Sequence, residues 1–300
     1  MCSQLSGKKF CDCINWKGVC IYQEYVWNGK KAKEGRKNYT GTILKKENIQ
    51  DRTFIFTIRV THKLAQDLIY PGSFVFLRKM EDAQFYDAPI SIMDVDTQEN
   101  FIKVAIEVQG VKTKTITSLD EGEKLLVRGP FWNGVLGLKN LKETKDSTCI
   151  LIARGIGQAP MVPVMKKLYA NGNKIIAIID KTSYDDILIR KYLDLYNVDL
   201  IESSTLFSGE LTKSLKDNIK NIMKVKNVGL IHCSAQDIII YKLLEFLDGK
   251  VKTSCCNNAK MCCGEGVCGT CTARFKGHVV KRLCKLQTDP EYIFRGRRFI

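Results

Sequence analysis

The sequence has no long hydrophobic run, and none of its apolar stretches approaches the roughly 18 residues that a membrane-spanning helix needs. The N-terminal residues, Met1-Cys2-Ser3-Gln4, are not followed by the apolar core of a signal peptide. Internal repeats and low-complexity linkers are also missing. These absences argue against a membrane or secreted protein, and we expect a cytoplasmic protein whose 300 residues form about two domains.

Histidine is scarce as well, with only three in the chain. His62, His232 and His278 are far apart in sequence, and no pair of candidate general bases stands out. Each histidine is interpreted as a core or surface residue. The sequence therefore predicts no catalytic side chain of the acid–base type.

Cysteine, by contrast, is abundant and unevenly placed, with 13 in all. Four lie in the first 20 residues, seven lie between Cys255 and Cys284, and only Cys149 and Cys233 lie between these groups. Disulfides are not expected in a reducing cytoplasm. Two dense groups of thiols then indicate metal or redox chemistry.

The net charge of +15 is concentrated at the same two ends, since residues 1–38 contribute +5 and residues 250–300 contribute +8. A lysine-rich solvated surface is one interpretation. Nucleic-acid binding is not favoured, because no aromatic–basic interleaving or groove-reading motif accompanies the charge. A third interpretation is that the cations offset an anionic metal centre and steer an acidic partner toward it.

Four zones follow one another along the chain. Short β-rich runs separated by turn signals, such as residues 53–58 and 101–108, predict a small antiparallel barrel. From about Ser147 onwards, strands alternate with helices, among them a helix predicted from Asp185 to Leu195, and this alternation predicts a doubly wound α/β domain. The predicted domains are a cysteine-rich arm at 1–38, the barrel at 39–144, the α/β domain at 145–249 and a glycine- and cysteine-rich C-terminal lobe at 250–300.

The strongest motif is C-x4-C-x2-C-x12-C, formed by Cys263, Cys268, Cys271 and Cys284. This spacing matches that of plant-type [2Fe–2S] proteins, where four thiolates hold two irons. Glycines within the motif allow backbone N–H groups to approach the sulfurs. A zinc site and unligated buried cysteines are the alternatives. Cys262 would give a spacing of five residues instead of four, so Cys263 is preferred.

A second motif follows a predicted strand that ends at Ala153. Gly155-Ile156-Gly157-Gln158-Ala159-Pro160 leads from this strand into a helix, the context in which a helix N-terminus accepts a pyrophosphate. Asp180 ends the next strand and could accept a hydrogen bond from a ribose hydroxyl, which would favour NADH over NADPH, although Lys181 beside it obscures that choice. A tight turn that binds no ligand is the alternative.

Two segments of the barrel zone have the character of ring- and phosphate-binding turns. In Ala88-Pro89-Ile90-Ser91-Ile92, Pro89 fixes an extended backbone and Ser91 could reach the polar edge of a planar ring. Residues 129–134, with the sequence Gly-Pro-Phe-Trp-Asn-Gly, form the other segment. Each segment taken alone could also be an ordinary loop.

Together and in this order, these segments resemble the ferredoxin–NADP reductase superfamily, and within it the iron–sulfur electron-transfer subunits of dihydroorotate dehydrogenase type. The small subunits of sulfide dehydrogenase and of NADH-dependent ferredoxin:NADP oxidoreductase are similar. The resemblance runs from about Tyr39 to Leu286. It implies FAD, NAD(P)H and a [2Fe–2S] cluster as cofactors, and a partner subunit or ferredoxin in a hetero-oligomer.

The resemblance also implies cofactor-binding residues at the positions that match family motifs. Ala88 stands where the family has an arginine facing the FAD pyrophosphate, and Lys112 or Lys114 could substitute for it. Arg154 stands in place of a glycine, and only the cysteine of a C-G-P motif survives, as Cys233. The implied residues are Pro89, Ile90, Ser91, Gly110, Thr113, Thr115, Gly129, Pro130, Gly155, Gly157, Pro160, Asp180 and Cys233.

The N-terminal arm lies outside the resemblance. Cys2, Cys11, Cys13 and Cys20 fit no standard zinc or cluster spacing. A second iron–sulfur cluster, a zinc site, and free thiols or a site whose other ligands lie upstream are all left open.

The expected function is electron transfer between NAD(P)H and a partner oxidoreductase through FAD and [2Fe–2S], since a flavin couples hydride transfer to single-electron transfer. The final acceptor cannot be named from the sequence. The alternative is an iron–sulfur adaptor or regulator without its own reductase turnover, which the missing arginine and the Cys233-Ser234-Ala235 departure suggest.

Overall fold

The computed structural model describes residues 36–275 and 279–294, together with residues 9, 22, 25, 26, 29 and 30. Two large sheets and two small two-stranded sheets organise these residues. No helix in this part of the chain is both long enough and apolar enough to cross a membrane.

The first sheet is antiparallel and contains seven strands. Its interior is filled by apolar side chains such as Phe56, Ile58 and Leu77, which are fully buried. The strands are β1 (Asn38–Gln50), β2 (Thr53–Arg59), β3 (Phe74–Lys79), β4 (Ala88–Ser91), β5 (Asp94–Asp96), β6 (Phe101–Glu107) and β7 (Lys124–Phe131), in the spatial order β4-β3-β7-β1-β2-β6-β5, with helices α1 (His62–Asp67) and α2 (Val111–Thr117) in the connections. The antiparallel character was expected, and closure into a barrel stays a prediction.

The second sheet is parallel except at one edge. Its strands and associated helices are β8 (Val135–Leu136), α3 (Leu138–Glu143), β9 (Thr148–Arg154), α4 (Gln158–Ala170), β10 (Lys174–Asp180), α5 (Arg190–Leu195), β11 (Asp199–Glu202), α6 (Lys213–Val225), β14 (Val228–Ser234), α7 (Asp237–Leu247) and β15 (Lys252–Cys256), with a small hairpin of β12 (Leu206–Phe207) and β13 (Glu210–Leu211). The spatial order is β11-β10-β9-β14-β15-β8. The chain therefore adds β10 and then β11 on one side of β9, and it later places β14 and β15 on the other side of β9.

Both faces of this second sheet are covered by helices. Along β9, Cys149 and Leu151 point into the layer that contains α4 and α5, while Ile150 and Ile152 point into the layer that contains α6 and α7. Burial on both faces explains why the strand is apolar at every position rather than at alternate ones. The reversal of strand order between β9 and β14 leaves a crevice at their carboxyl ends, where ligands bind in sheets of this kind.

The C-terminal residues lie against both sheets. After β15 a loop leads to the hairpin β16 (Thr272–Arg274) and β17 (Val280–Arg282), and then to helix α8 (Pro290–Phe294). Cys271, Cys284 and Met261 pack with phenylalanines of the first sheet, whereas Phe275 and Leu283 join the α6–α7 layer. The C-terminal residues are therefore held by contacts with both sheets.

Sequence and structure differ in some element boundaries. A helix was expected from Asp185 to Leu195, but α5 begins only at Arg190. The backbone of Ile187 donates instead to the Asp186 side chain at 2.7 Å, and the residues before α5 form turns. The strand β8, from the predicted barrel range 39–144, pairs with β15 at Cys255 and Cys256. The predicted domain limits themselves stay predictions.

Candidate functional site

The cysteine loop is built on glycines in left-handed backbone conformations. Gly264, Gly266 and Gly269 have φ values of +69°, +76° and +77°, which side chains rarely tolerate. The resulting curl directs the backbone N–H groups of Glu265 and Cys268 to the sulfur of Cys263, at 3.3 and 3.4 Å. This is the N–H···S arrangement that the sequence predicts for a cluster loop.

The four predicted cluster cysteines form two pairs. Within the loop, the backbone N–H of Cys268 donates to the sulfur of Cys263. The side chains of Cys271 and Cys284 are hydrogen-bonded to each other and are buried in the same small apolar cluster. No group of three or more His, Cys, Asp or Glu in the described ranges is arranged around one metal ion. In a [2Fe–2S] site each iron takes two of the four thiolates, so the joint ligation of one cluster by these two pairs stays a prediction.

Hydrogen bonding favours the deprotonated form, which metal ligands need, in Cys268 and Cys271, whereas the hydrogen bond with Cys271 and burial raise the pKa of Cys284. A hydrogen bond from the Cys284 side chain lowers the pKa of Cys271 to about 6. Burial would raise the pKa of Cys268, but hydrogen bonds from Thr270 outweigh it and lower that pKa to about 7. Burial raises the pKa of the neighbouring Cys262, and a hydrogen bond between its side chain and that of Cys268 raises it further.

A wall of phenylalanines from the first sheet supports the loop. Phe131 stacks on Phe74 with ring centroids 5.1 Å apart and meets Phe76 edge-on at 5.1 Å. A Cβ atom added at Gly264 would lie only 2.5 Å from Cε1 of Phe131. The glycine is thus required both by its backbone angle and by the close approach of the ring.

Asn133 ties the 129–134 segment to the second half of the cysteine motif. Its Nδ2 donates to the carbonyl oxygens of Leu283 at 2.5 Å and Leu286 at 2.8 Å, on either side of Cys284. Gln287 in turn donates to Oδ1 of Asn133 at 2.6 Å. The predicted members Gly129 and Pro130 lie within β7 and are joined by a cis peptide bond.

A cleft of about 580 Å³ lies between the two sheets and gathers residues from several predicted motifs. Of the predicted cofactor-binding residues, six line it: Pro89, Ile90, Ser91, Thr113, Gly157 and Pro160. Ser234, Ala235, Cys256 and Asn257 line it from the carboxyl-end side of the parallel sheet. The cleft is thus open to the crevice where the strand order reverses.

Seven other predicted residues do not line this cleft: Gly110, Thr115, Gly129, Pro130, Gly155, Asp180 and Cys233. Thr113 accepts hydrogen bonds from the backbone of Gln109 and Gly110, at 3.0 and 3.3 Å, so Gly110 supports the start of α2. Thr115 donates to the backbone carbonyl of Lys112 at 2.9 Å. Their predicted contacts with a cofactor stay predictions.

The turn after β9 is held close to the end of β14. A Cβ atom at Gly157 would lie 2.0 Å from the carbonyl oxygen of Ser234, so only glycine fits. Gly155 has a φ of +53° and lies beside Thr182. The spacing of these glycines therefore has a packing reason, in addition to any role in binding phosphate.

Asp180 already has partners inside the protein. One carboxylate oxygen accepts from the backbone of Thr182 at 3.0 Å, and the other accepts from the backbone and hydroxyl of Thr205, both at 2.7 Å. Arg154 lies 3.5 Å from the same carboxylate. A ribose hydroxyl would have to share these oxygens.

Cys233 is buried and points into the α6–α7 layer, and burial raises the pKa of its thiol well above the usual range. The thiol at the cleft belongs to Cys256, which donates to the hydroxyl of Ser234 at 3.1 Å. That hydroxyl lies 3.0 Å from His232, which burial keeps neutral by lowering its pKa to about 3. Parallel pairing of β14 with β15 brings these residues together, and no sequence motif indicated it.

Strand β4 (Ala88–Ser91) carries the predicted flavin-binding motif, and we call it the flavin-motif strand. The charged residues beside it differ from the single arginine that the family motif has. Asp87, just before Ala88, is buried and pairs with Arg78 at 2.5 Å and Arg128 at 2.7 Å. Lys112 donates to the backbone carbonyl of Asp87 at 3.2 Å, so it lies beside the motif, as its predicted substitution for the arginine requires. No sequence motif indicated Arg78, Arg128 or Asp87.

Cys2, Cys11, Cys13 and Cys20, which the sequence predicts as a second site, lie outside the described residues, as does His278. The interpretations of the arm stay open.

Comparisons with known proteins find electron transfer subunits among the relatives of this chain. No family model matches it. It is 27% identical over 247 residues to the electron transfer subunit of dihydroorotate dehydrogenase B (NAD(+)) from Clostridium acetobutylicum, covering 80% of this chain and 90% of that protein. The subunit of the same name from Streptococcus pneumoniae serotype 4 is 25% identical over 219 residues, covering 71% and 84%.

Among solved structures, that of an NADH-dependent reduced ferredoxin-NADP oxidoreductase matches with a TM-score of 0.69 at 21% identity, covering 86% of this chain and 89% of that one. A ferredoxin-NADP+ reductase from Plasmodium falciparum matches with a TM-score of 0.54 at 16% identity, covering 70% and 90%. The chain is thus a homologue of the electron transfer subunits and has a ferredoxin–NADP reductase-like fold. The resemblance inferred from the motifs is confirmed.

Proposed function

We propose that this chain is the NAD(P)H-dependent electron-transfer subunit of a larger oxidoreductase. It would pass electrons between NAD(P)H and a partner through FAD and a [2Fe–2S] cluster. The homologues named electron transfer subunits of dihydroorotate dehydrogenase B support the activity class. The finer assignments below rest on the site itself.

The observation that carries the proposal is the loop of two thiol pairs packed against the first sheet. The sulfur of Cys263 accepts hydrogen bonds from the backbone N–H groups of Glu265 and Cys268. Cys271 and Cys284 are buried in the same apolar cluster. A sulfur-only donor set fits iron–sulfur chemistry. The close approach of Gly264 to Phe131 leaves the loop no room for a side chain at that position.

We assign the cleft between the sheets to the flavin and the nicotinamide. Pro89, Ile90 and Ser91 supply an extended edge and a hydroxyl on one side, and the N-terminal turn of α4 faces it from the other. When bound, a flavin couples two-electron hydride transfer to one-electron transfer. The residues of this chain would orient the two rings and exclude water between them.

On this reading the first sheet is the flavin-binding barrel, the second sheet is a doubly wound nucleotide-binding domain, and residues after β15 form a small [2Fe–2S] lobe. The proposed limits remain 39–144, 145–249 and 250–300. The strand order β11-β10-β9-β14-β15 supports the nucleotide-binding assignment, because it is the order of dinucleotide-binding sheets.

The partner would approach the exposed side of the cysteine loop. Cys268 is exposed and Val267 retains 60% of its accessible surface, so the loop tip reaches solvent. The C-terminal residues 250–300 have a net charge of +8, which complements an acidic subunit or ferredoxin. We place the complex in the cytoplasm.

One observation favours the alternative, a cluster-bearing adaptor or regulator that has no reductase turnover. Among the described residues that line the cleft, Arg154 is the only lysine or arginine, and Glu107 and Asp237 are acidic. A flavin pyrophosphate would normally be offset by more positive charge. Lys112, which donates to the backbone carbonyl of Asp87, is one of the two substitutes that the sequence suggests.

Anaerobic purification with counts of iron, sulfide and flavin per chain separates these functions. The reductase predicts about two irons and about one flavin per chain, with bleaching of both chromophores by NADH or NADPH. A protein with a cluster but without flavin would reject the reductase in favour of the adaptor. About six irons would add a [4Fe–4S] centre in the N-terminal arm.

Two neighbouring cysteines provide a matched test of the ligand set. Cys263→Ser should abolish the cluster, because it removes one thiolate of a pair. Cys262→Ser should leave the iron content unchanged, because the C-x4-C-x2-C spacing of the cluster motif starts at Cys263 and not at Cys262. Equal loss of iron in both variants would show that the assignment of ligands is wrong.

A further inference from the structure

Arg128 joins the flavin-motif strand to the cysteine loop. Its Nε donates to the Asp87 carboxylate at 2.7 Å, and its two terminal nitrogens donate to the carbonyl oxygens of Cys263 at 3.0 Å and Cys262 at 3.2 Å. The guanidinium also lies over the Phe76 ring, 4.2 Å from its centroid. The side chain is only 6% exposed, so one buried group fixes two elements at once.

The described ion pairs that link Arg128, Asp87 and Arg78 contain one more positive charge than negative charge. Asp87 pairs with Arg128 and with Arg78, and all three side chains are nearly buried. Two guanidinium groups thus share one carboxylate and leave an excess positive charge. Such a charge is costly to bury unless an opposite charge lies nearby.

Of the two guanidinium groups, Arg128 has described hydrogen bonds to the cysteine loop, whereas the described hydrogen bond of Arg78 goes to Asp87. Both carbonyl groups that accept from Arg128 belong to the peptide segment that carries the first predicted ligand. Four thiolates around two irons make an anionic centre, which becomes more negative when it is reduced. A buried cation beside the loop stabilises the reduced form more than the oxidised form, and hydrogen bonds to the loop backbone fix the ligand.

We propose that Arg128 is a positioning residue that fixes Cys263 relative to the flavin-motif strand and raises the reduction potential of the cluster. This inference rests on the proposed function, since it needs a cluster at the quartet. It assigns a role to a residue that no motif indicated.

Arg78 provides the matched control. It pairs with the same carboxylate at 2.5 Å, carries the same charge and lies on the adjacent strand β3, but its described hydrogen bond goes to Asp87 and not to the loop. Arg128→Met removes the charge and the loop contacts. Arg78→Met removes a charge and leaves the loop contacts in place. Arg128→Lys keeps the charge but loses the planar fork that reaches both carbonyls.

The experiment is a redox titration of the full-length anaerobic protein, followed by EPR of the reduced cluster and by visible circular dichroism. In Arg128→Met, the ratio of reduced to oxidised cluster at a fixed potential should fall about tenfold, which equals about 59 mV for a one-electron couple. Arg78→Met should change that ratio less than about threefold and leave both spectra as in the native protein. Arg128→Lys should recover more than half of the potential shift but show altered EPR and dichroism spectra.

The outcomes separate the two proposals. A native protein that binds no iron and sulfide would overturn the proposed function and this inference with it. A native cluster whose potential and spectra are the same in Arg128→Met, or shift equally in Arg78→Met, would overturn only the role of Arg128. If Arg128→Met does not fold, Arg128→Lys is compared with Arg78→Lys, and identical EPR spectra in these two would also overturn it.

Discussion

Replacing Gly264 by alanine tests whether the cysteine loop is held by its contact with the first sheet. Gly264 has a φ of +69°, a conformation that costs an alanine about 1–2 kcal/mol. The new Cβ would also lie 2.5 Å from one atom of the Phe131 ring and 2.8 Å from the next. Because the ring is stacked on Phe74, it cannot swing away freely, and overpacking of this kind costs about 1–3 kcal/mol more.

Gly269→Ala isolates the second cost from the first. Gly269 has a φ of +77°, but its added Cβ would meet nothing nearer than Thr272 Oγ1 at 3.6 Å. Backbone strain therefore destabilises both variants, and the steric clash destabilises Gly264→Ala alone. Phe131→Leu, combined with Gly264→Ala, should recover part of the loss by vacating space, as a double-mutant cycle would reveal.

The assay is the iron and sulfide retained per chain after anaerobic gel filtration, together with the thermal midpoint of the reconstituted protein. We expect Gly264→Ala to retain less cluster and to unfold at a lower temperature than Gly269→Ala. If the two variants retain cluster equally, or if Phe131→Leu gives no recovery, the loop is not positioned by this contact and the reasoning is refuted.

Three further predictions address other parts of the site. Asn133→Ala should destabilise the protein by about 1–3 kcal/mol in urea unfolding, because the half-buried carbonyl of Leu286 loses the donation from Asn133 and that of Leu283 keeps only the donation from Asn257, and an unchanged midpoint would contradict this. His232 has a folded-state pKa of about 3, below its ordinary value of 6.5, so protonation favours the unfolded chain and stability is lost as the pH falls below about 6.5. Between about pH 7 and pH 5 this loss is about 2 kcal/mol, and His232→Gln should show a smaller pH dependence; equal dependence in both proteins would exclude the residue as its source. Ser91→Ala should weaken flavin binding by about three- to tenfold in a fluorescence titration, since one hydrogen bond to the ring is lost, and unchanged affinity would remove Ser91 from the flavin site.

Much of the fold could be predicted from local sequence patterns. The apolar run that ends at Ala153 predicted a buried parallel strand, and β9 spans Thr148–Arg154 with both faces covered. Turn signals separated the β-rich runs of the first sheet correctly. The helix expected at Asp185 was wrong in its start, because the Asp186 side chain binds the backbone N–H of Ile187 and competes with helix formation.

Predictions about the cleft were less complete, because side-chain direction depends on strand pairing. Cys233 matches a family motif, yet its side chain points into the core, while Cys256 on the adjacent strand β15 lines the cleft. The Asp180 carboxylate accepts from Thr205, 25 residues away, and no local pattern reveals that contact.

The sequence by itself determined the cysteine loop. Its cysteine spacing and its glycines are local properties, since a short segment with left-handed glycines curls its own N–H groups toward the sulfur of Cys263. Only the tertiary structure decided what surrounds that loop. Arg128 lies 41 residues after Asp87 and 135 residues before Cys263 in the chain. Because such distant residues meet only when the strands pair, the tertiary structure alone places the buried guanidinium between the carboxylate and the loop carbonyl.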